Sequence, residues 1–336
     1  MDPGVEAFVA LLMGFPLILG GAELFTNAIE HVAMRLAVSE GVAGSLLAAV
    51  GTALPETAVP VLASFGQAHG SRPEVAVGAV FGAPLMLSTL TFGLMAFFAG
   101  RARGFGARLQ PERSGLRRDL NWFLCVFALA TAGLFVPPGD DRRVLALILV
   151  GAYALYAART VAASAALLES GHGSRAHMPL HLARGLFRPW PGLHYLQLLI
   201  GLVLILGGAE LFVGGVEGVG AQLHWPVLIL SLVVVPIATE LPEKINSILW
   251  IRRRHDTLAF GNITGALVFQ GSLLPALGLT LTPWRPTPVL LAVVAATLAA
   301  AAWLRWHVRG KRPLRLWIFS ANALLYAAIM VYFIRS

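Results

Sequence analysis

The sequence predicts an all-α polytopic membrane protein of ten transmembrane helices, arranged as two five-helix repeats of inverted topology. Three observations carry that prediction. The 336 residues are 57% hydrophobic and 12% charged, with a mean hydropathy of +0.75, whereas a soluble domain carries about 25% charged residues. Basic residues collect in every second loop between apolar stretches. One hexapeptide also recurs unchanged in the second half of the chain. So little polar material cannot clothe a water-soluble surface, and lipid is the solvent that tolerates the surplus.

A spanning helix takes about 20 predominantly apolar residues, and ten segments qualify. The first, 6–33, follows Met1-Asp2-Pro3-Gly4-Val5-Glu6, which is acidic where a secretory leader is basic. It runs on through Leu24 and Phe25 without a cleavage site, so it is expected to be retained. The second and third, 40–66 and 73–99, are interrupted by glycine and proline. The fourth, 120–137, holds the lone cysteine, Cys125, which is expected to be a small buried hydrophobe. The fifth, 143–167, closes the first half. A linker over 168–192 contains His172, His177 and His181 without the tight spacing of a metal site, and reads as a cytoplasmic connection. The second half then supplies 193–219, 225–250, 257–281, 287–306 and 314–334. The expected units are therefore 1–167, the linker, and 193–336.

Sorting the basic residues by loop fixes an orientation. Loops after odd-numbered spans hold 18 of the 25 lysines and arginines, with six arginines between Arg101 and Arg118; the opposite side holds five. Short basic loops resist translocation, so the rich side is expected to be cytoplasmic and both termini to lie outside. The net charge of +8 is spread over these loops, which fits anionic headgroups and excludes a nucleic-acid footprint.

The recurrence is the most informative feature. Gly20-Gly21-Ala22-Glu23-Leu24-Phe25 returns as Gly207-Gly208-Ala209-Glu210-Leu211-Phe212, an offset of 187, and at that offset Glu30 answers Glu217. Gly51-Thr52-Ala53-Leu54-Pro55-Glu56 answers Ala238-Thr239-Glu240-Leu241-Pro242-Glu243, and Gly78–Gly82 resembles Gly261–Gly265 at an offset of 183. Each half holds five spans, an odd number, so the second half enters the membrane from the opposite side. Secondary transporters use such repeats to build a substrate site near the midplane.

Both Thr-x-Leu-Pro-Glu blocks fall inside apolar spans. Proline opens the helix there, and freed carbonyls are tolerated in a membrane only where they are buried in protein or line a wet cavity. Carbonyls, a threonine hydroxyl and a carboxylate are the hard oxygen ligands that a dehydrated Na⁺ or Ca²⁺ requires. An acid placed at that depth is costly and marks function. Here the blocks resemble the α-repeats of the sodium/calcium exchanger family, whose signature reads Gly-Thr-Ser-x-Pro-Glu, over roughly 15–98 and 202–281.

The resemblance implies ten spans, an outside N-terminus, and exchange of Ca²⁺ against Na⁺ by alternating access, with spans one and six moving against the remainder. It places Glu56 and Glu243 as central carboxylates and Thr52 and Thr239 as oxygen donors. Its serines are here Ala53 and Glu240. The polar positions of its next helix are Ala79, Ala83, Pro84 and Leu87 in the first half; in the second Asn262 survives, Ala266 and Leu267 intervene, and Gln270 stands last. Glu240, Asn262 and Gln270 thus join the candidate ligands. With fewer sodium ligands, H⁺ stands beside Na⁺ as a candidate coupling ion.

Lys244 follows Glu240 by four residues, the favoured order for a helical ion pair. It either forms a static bridge to Glu240 or Glu243, or acts as a built-in cation in a former sodium position that could couple to protons. Glu23 and Glu210 either line the pathway or bond to neighbouring helices; Glu30 and Glu217, near span ends, are expected to be solvated. The expected function is a cation antiporter of a bacterial inner membrane, with Ca²⁺, Na⁺ or H⁺ as transported ions, no separate cofactor and no enzymatic activity. The rival is an exchanger-fold protein that has lost transport and serves in binding.

Overall fold

The computed structural model describes residues 3–53, 57, 73–169, 178–184, 192–222, 236, 240–282, 284–310 and 313–335. Almost all of this is helix. In chain order the elements are α1 (Pro3–Arg35), α2 (Glu40–Val42), a π-helical segment π1 (Ala43–Ala48), α3 (Ala49–Thr52), α4 (Pro73–Met86), π2 (Leu87–Thr91) and α5 (Phe92–Arg103). There follow β1 (Arg108–Leu109), α6 (Arg113–Ala132), α7 (Asp140–Glu169), a 3₁₀ turn (His181–Arg184), α8 (Leu193–Gln222), α9 (Leu241–Arg252), α10 (Asp256–Leu281), α11 (Pro288–Val308), β2 (Leu314–Arg315) and α12 (Leu316–Arg335).

Among the described residues, seven stretches are long and apolar enough to cross a membrane: Gly4–Arg35, Val77–Arg103, Asp140–Ser164, Leu193–Phe212, Asp256–Leu281, Pro288–Val308 and Leu316–Phe333. Each matches one of the ten expected segments. Of the other three, 40–66 and 225–250 run beyond the described residues. The third, 120–137, begins earlier than expected, as α6, and its first two turns carry Arg113, Arg117, Arg118 and Asp119.

Two classes of helix emerge. Val77–Arg103 and α10 are enclosed by protein over most of their length, whereas α1 and α8 leave most of their surface outside the bundle. α1 and α8 pack chiefly on each other, in antiparallel register: Gly215 meets Ala7, Gly208 meets Gly14, and Gly201 meets Gly21. A Cβ at Gly14 would sit 2.7 Å from the Gly208 carbonyl oxygen, and one at Gly201 would sit 2.7 Å from the Phe25 nitrogen. Seven-residue spacing keeps these glycines on one face, and small residues there let two backbones touch in lipid. Gly14→Val is therefore expected to force the pair apart and to lower the unfolding temperature in detergent. Gly20→Val, where no atom lies within 4 Å of the added Cβ, is the control expected to leave it unchanged.

A second close crossing organises the interior. Gly44 of π1 packs on the Leu258 carbonyl, with its built Cβ 2.8 Å away, and Gly261 and Gly265 of α10 press against Ser45. The Gly261–Gly265 block that recurs in the sequence is thus a small-residue crossing of the two central elements.

The loops that follow odd-numbered spans meet on one face. β1 pairs antiparallel with β2, Arg108 opposite Arg315. Arg103 bridges Asp256 at 2.7 Å and also donates to the Ile251 carbonyl, and Asp256 accepts the Gln110 N–H at 2.8 Å. On the other face Arg142, buried, donates to the carbonyls of Val136 and Trp284 at 2.8 and 2.7 Å. Several of the arginines read from sequence as topology signals thus also tie loops together.

Two side-chain expectations are corrected. Cys125 is exposed on the outer surface of α6. Glu30 is buried, and its carboxylate accepts the Trp250 indole N–H at 3.2 Å. The side chain of Glu217 lies outside the described residues.

Candidate cation site

The site lies at equivalent points of the two halves, where α3 ends and α9 begins. α3 ends at Ala53, with φ −82° and ψ 8°; α9 begins after Glu240, with φ −83° and ψ 0°. These residues are equivalent at the 187-residue offset, so the same Leu-Pro-Glu sequence follows the same backbone bend. In the second half Pro242 stands in the first turn of α9, where its missing N–H leaves no gap in the helix. Glu243 shares that turn.

Glu240, Glu243, Asn246, Asn262 and Gln270 are fully buried, and Lys244 is 4% exposed. Gln270 of α10 donates to Glu240 Oε1 at 2.7 Å. Asn262 donates through one amide nitrogen to the Glu243 carbonyl at 3.2 Å and to Ser247 Oγ at 3.0 Å, and Ser247 donates to the Ala259 carbonyl at 3.2 Å. These bonds fix α9 against α10 and hold the two glutamates between them. Lys244 Nζ donates to the Pro236 carbonyl, eight residues earlier in the chain, at 3.5 Å. Thr52, buried on α3, donates to the Ala48 carbonyl at 3.0 Å and faces the Glu243 side chain, bringing the first half to the second.

What remains unsatisfied defines the chemistry. Glu240 Oε2, both Glu243 oxygens, Asn246 Oδ1, Asn262 Oδ1 and Gln270 Oε1 are buried with no hydrogen-bond partner among the described residues, as is Asn246 Nδ2. A buried polar atom left unpaired costs about 1–3 kcal/mol, more if charged, while a domain's net stability is roughly 5–15 kcal/mol. A set of this size is not maintained for nothing. It is almost all hard oxygen, and it is acidic, which suits an alkali or alkaline-earth cation. Among the described residues no three His, Cys, Asp or Glu side chains converge.

Glu56 and Thr239 lie outside the described residues. Glu23 is not in this cluster: on α1 it pairs with Arg253, just past the end of α9, and with His181 Nε2 at 3.1 Å in the linker. Glu210 is exposed on α8.

Two features escaped the sequence reading. Asn246 stands three residues after Glu243, a spacing that shares its helical face, and this was the available signal. Asp119, inside a run that reads as a basic anchor, is buried; its Oδ2 accepts Ser45 Oγ of π1 at 2.6 Å and Thr264 Oγ1 of α10 at 2.8 Å, and its Oδ1 accepts from Arg118.

The family model described as sodium/calcium exchanger protein matches residues 6–162 and 193–335. An uncharacterized membrane protein of Methanocaldococcus jannaschii is 25% identical over 255 residues, covering 76% of this chain and 75% of its own. The putative antiporter CaxA of Alkalimonas amylolytica is 24% identical, covering 82% and 81%. The inner membrane protein YrbG of Escherichia coli is 24% identical, covering 89% of each. In fold the chain is similar to the sodium-calcium exchanger NCX_Mj, with a TM-score of 0.75 at 21% identity over 98% of this chain and 99% of that one.

Proposed function

The chain belongs to the sodium/calcium exchanger protein family, and from that premise we propose that it exchanges Ca²⁺ against Na⁺ or H⁺ by alternating access at a site between two inverted five-helix repeats. The observation that carries this reading is the buried pair Glu240 and Glu243 at the start of α9, with three carboxylate oxygens and three amide oxygens open among the described residues. Glu56 and Thr239 would complete the site from the matching blocks, and Thr52 already faces it. The rival reading, a binding protein without transport, has the apolar residues Ala79, Ala83, Pro84 and Leu87 of the third span in its favour, and the buried acidic set weighs against it.

The inverted arrangement has support from contacts. Gly14 and Gly201 are equivalent at the 187-residue offset, as are Gly21 and Gly208. Gly14 touches Gly208 and Gly21 touches Gly201, so each contact maps onto the other when the halves are exchanged, as a two-fold relation between repeats requires. We place the repeats at 1–167 and 193–336, the linker 168–192 in the cytoplasm, and both termini outside, following the charge asymmetry of the loops.

The test is radiolabelled Ca²⁺ uptake into proteoliposomes under Na⁺ and proton gradients imposed one at a time. A tenfold gradient stores about 1.4 kcal/mol per ion, enough for two ions to drive Ca²⁺ accumulation clearly above leak. The gradient that drives uptake identifies the coupling ion. Uptake under neither gradient, in folded protein, would overturn the proposal.

A further inference from the structure

The face on which β1 and β2 meet holds a cleft of about 710 Å³ that shares no residue with the cation site. Arg108, Trp306, His307, Arg315 and Trp317 are among the residues that line it. The short ribbon sets its charge. Arg108 stands opposite Arg315 in the antiparallel pair, so both side chains leave one face, while Leu109 and Leu314 are buried on the other. Like charges directly opposite each other on paired strands are destabilising. Among the described residues no carboxylate pairs with either arginine. Two guanidinium groups held on one face match a phosphate, which accepts hydrogen bonds from both forks.

The surroundings are those of a lipid phosphate. Trp306 and Trp317 are 65% and 53% exposed near the ends of two spans, the level at which tryptophan rings sit among headgroups. Arg309 stacks on Trp306 with its guanidinium 5.0 Å from the ring centre, which brings a third positive charge beside the cleft. From Trp317 an exposed apolar stripe runs along α12 at seven-residue spacing, through Leu324 and Val331, and offers a track for acyl chains. The negative end of α11 would repel an anion, but it is covered: Arg113 donates to the Gly310 carbonyl, and Arg117 to the Val308 carbonyl at 3.5 Å. We propose that this cleft binds one anionic phospholipid of the adjoining leaflet, with the phosphate between Arg108 and Arg315 and the headgroup against Trp306 and Trp317. Basic pockets between spans bind anionic headgroups in this way. The site differs from the diffuse attraction of the other basic loops because two particular arginines carry it.

The experiment titrates the purified protein in neutral detergent with phosphatidylglycerol or phosphatidylcholine, counts bound lipid by native mass spectrometry, and follows thermal unfolding with each lipid and with inorganic phosphate. The wild type is expected to bind phosphatidylglycerol about tenfold more tightly than phosphatidylcholine and to unfold at a higher temperature in its presence, with no such shift from inorganic phosphate. Arg108→Gln/Arg315→Gln is expected to lose that preference. Without lipid it should unfold at or above the wild-type temperature, because a like-charge pair has been removed. Arg101→Gln/Arg252→Gln removes the same charge from exposed positions outside the cleft and is expected to keep the preference. Equal binding of the two lipids by the wild type, a preference that survives in Arg108→Gln/Arg315→Gln, or an equal loss in Arg101→Gln/Arg252→Gln would each overturn the proposal. Early unfolding of Arg108→Gln/Arg315→Gln without lipid would make the arginine pair structural and overturn it too. Stabilisation by inorganic phosphate equal to that by phosphatidylglycerol would overturn the lipid as occupant.

Discussion

Glu243→Gln is expected to abolish gradient-driven Ca²⁺ uptake while the protein remains folded. The substitution keeps the shape of the side chain but removes one charge and turns one of two open acceptor oxygens into a donor, in a place where every neighbouring open oxygen is an acceptor. Removing one partner of a buried charge pair costs about 3–5 kcal/mol, and at 1.4 kcal/mol per factor of ten Ca²⁺ affinity should fall by roughly two to three and a half powers of ten. Stability without ions should move the other way, because a buried carboxylate lacking a hydrogen-bond partner opposes folding. The second readout follows from linkage: Ca²⁺ at a hundred times its dissociation constant stabilises a folded protein by about 2.7 kcal/mol. Wild-type unfolding should therefore shift upward with added Ca²⁺, and the variant's should not. A variant that still takes up Ca²⁺ at the wild-type rate, or keeps that shift, would remove Glu243 from the site.

Part of this site is legible in the sequence for a physical reason. Proline followed by glutamate has no low-energy place in an unbroken lipid-facing helix, so two copies of Leu-Pro-Glu announce two breaks. The structure adds that Ala53 and Glu240 share one backbone conformation. The recurring glycines divide: Gly21 and Gly208 sit where the two backbones touch, whereas Gly20 and Gly207 meet no atom within 4 Å. Which way an uncharged residue faces is not legible. In water an apolar stripe points to the core, but in lipid the outer face is apolar too, and the periodicity loses its meaning. Cys125 was therefore expected inside and is exposed. Glu30 was expected in solvent because it lies near a span end, yet the Trp250 indole makes a buried place for it. Asp119 shows the same blind spot from the other side. Its neighbours Arg117 and Arg118 draw the eye to the membrane surface, and its two hydroxyl donors are 74 and 145 residues away.

That distant pairing makes Asp119 the other position where a single substitution should matter most. π1 is the irregular segment just before α3, the short helix that Ala53 caps, and π-helical turns frequently mark functional sites. The segment runs backbone-to-backbone against α10 at Gly261 and Gly265, a contact that excludes bulky packing side chains. Asp119 supplies the attachment from a third helix: one carboxylate oxygen takes a hydroxyl from each element, while the other is held by Arg118, whose guanidinium lies 6.0 Å from the centre of the Tyr156 ring. In Asp119→Ala, Ser45 loses its acceptor and a mostly buried guanidinium loses its counter-charge. Thr264 keeps a bond to the Phe260 carbonyl at 2.9 Å, so its share is small. Losing one partner of such a pair costs about 3–5 kcal/mol when burial is complete; Arg118 retains 16% exposure, which places the expectation at about 3 kcal/mol. Asp119→Asn keeps an acceptor for Ser45 and should lose less than half as much, since only the charge is gone. Thermal unfolding in detergent, read for both variants beside the wild type, decides the matter. If Asp119→Ala unfolds at the wild-type temperature, the attachment of π1 to α10 is carried by the glycine crossing alone. If it unfolds early and its Ca²⁺ affinity falls as well, the cation site is held in shape from a helix that contributes no ligand to it.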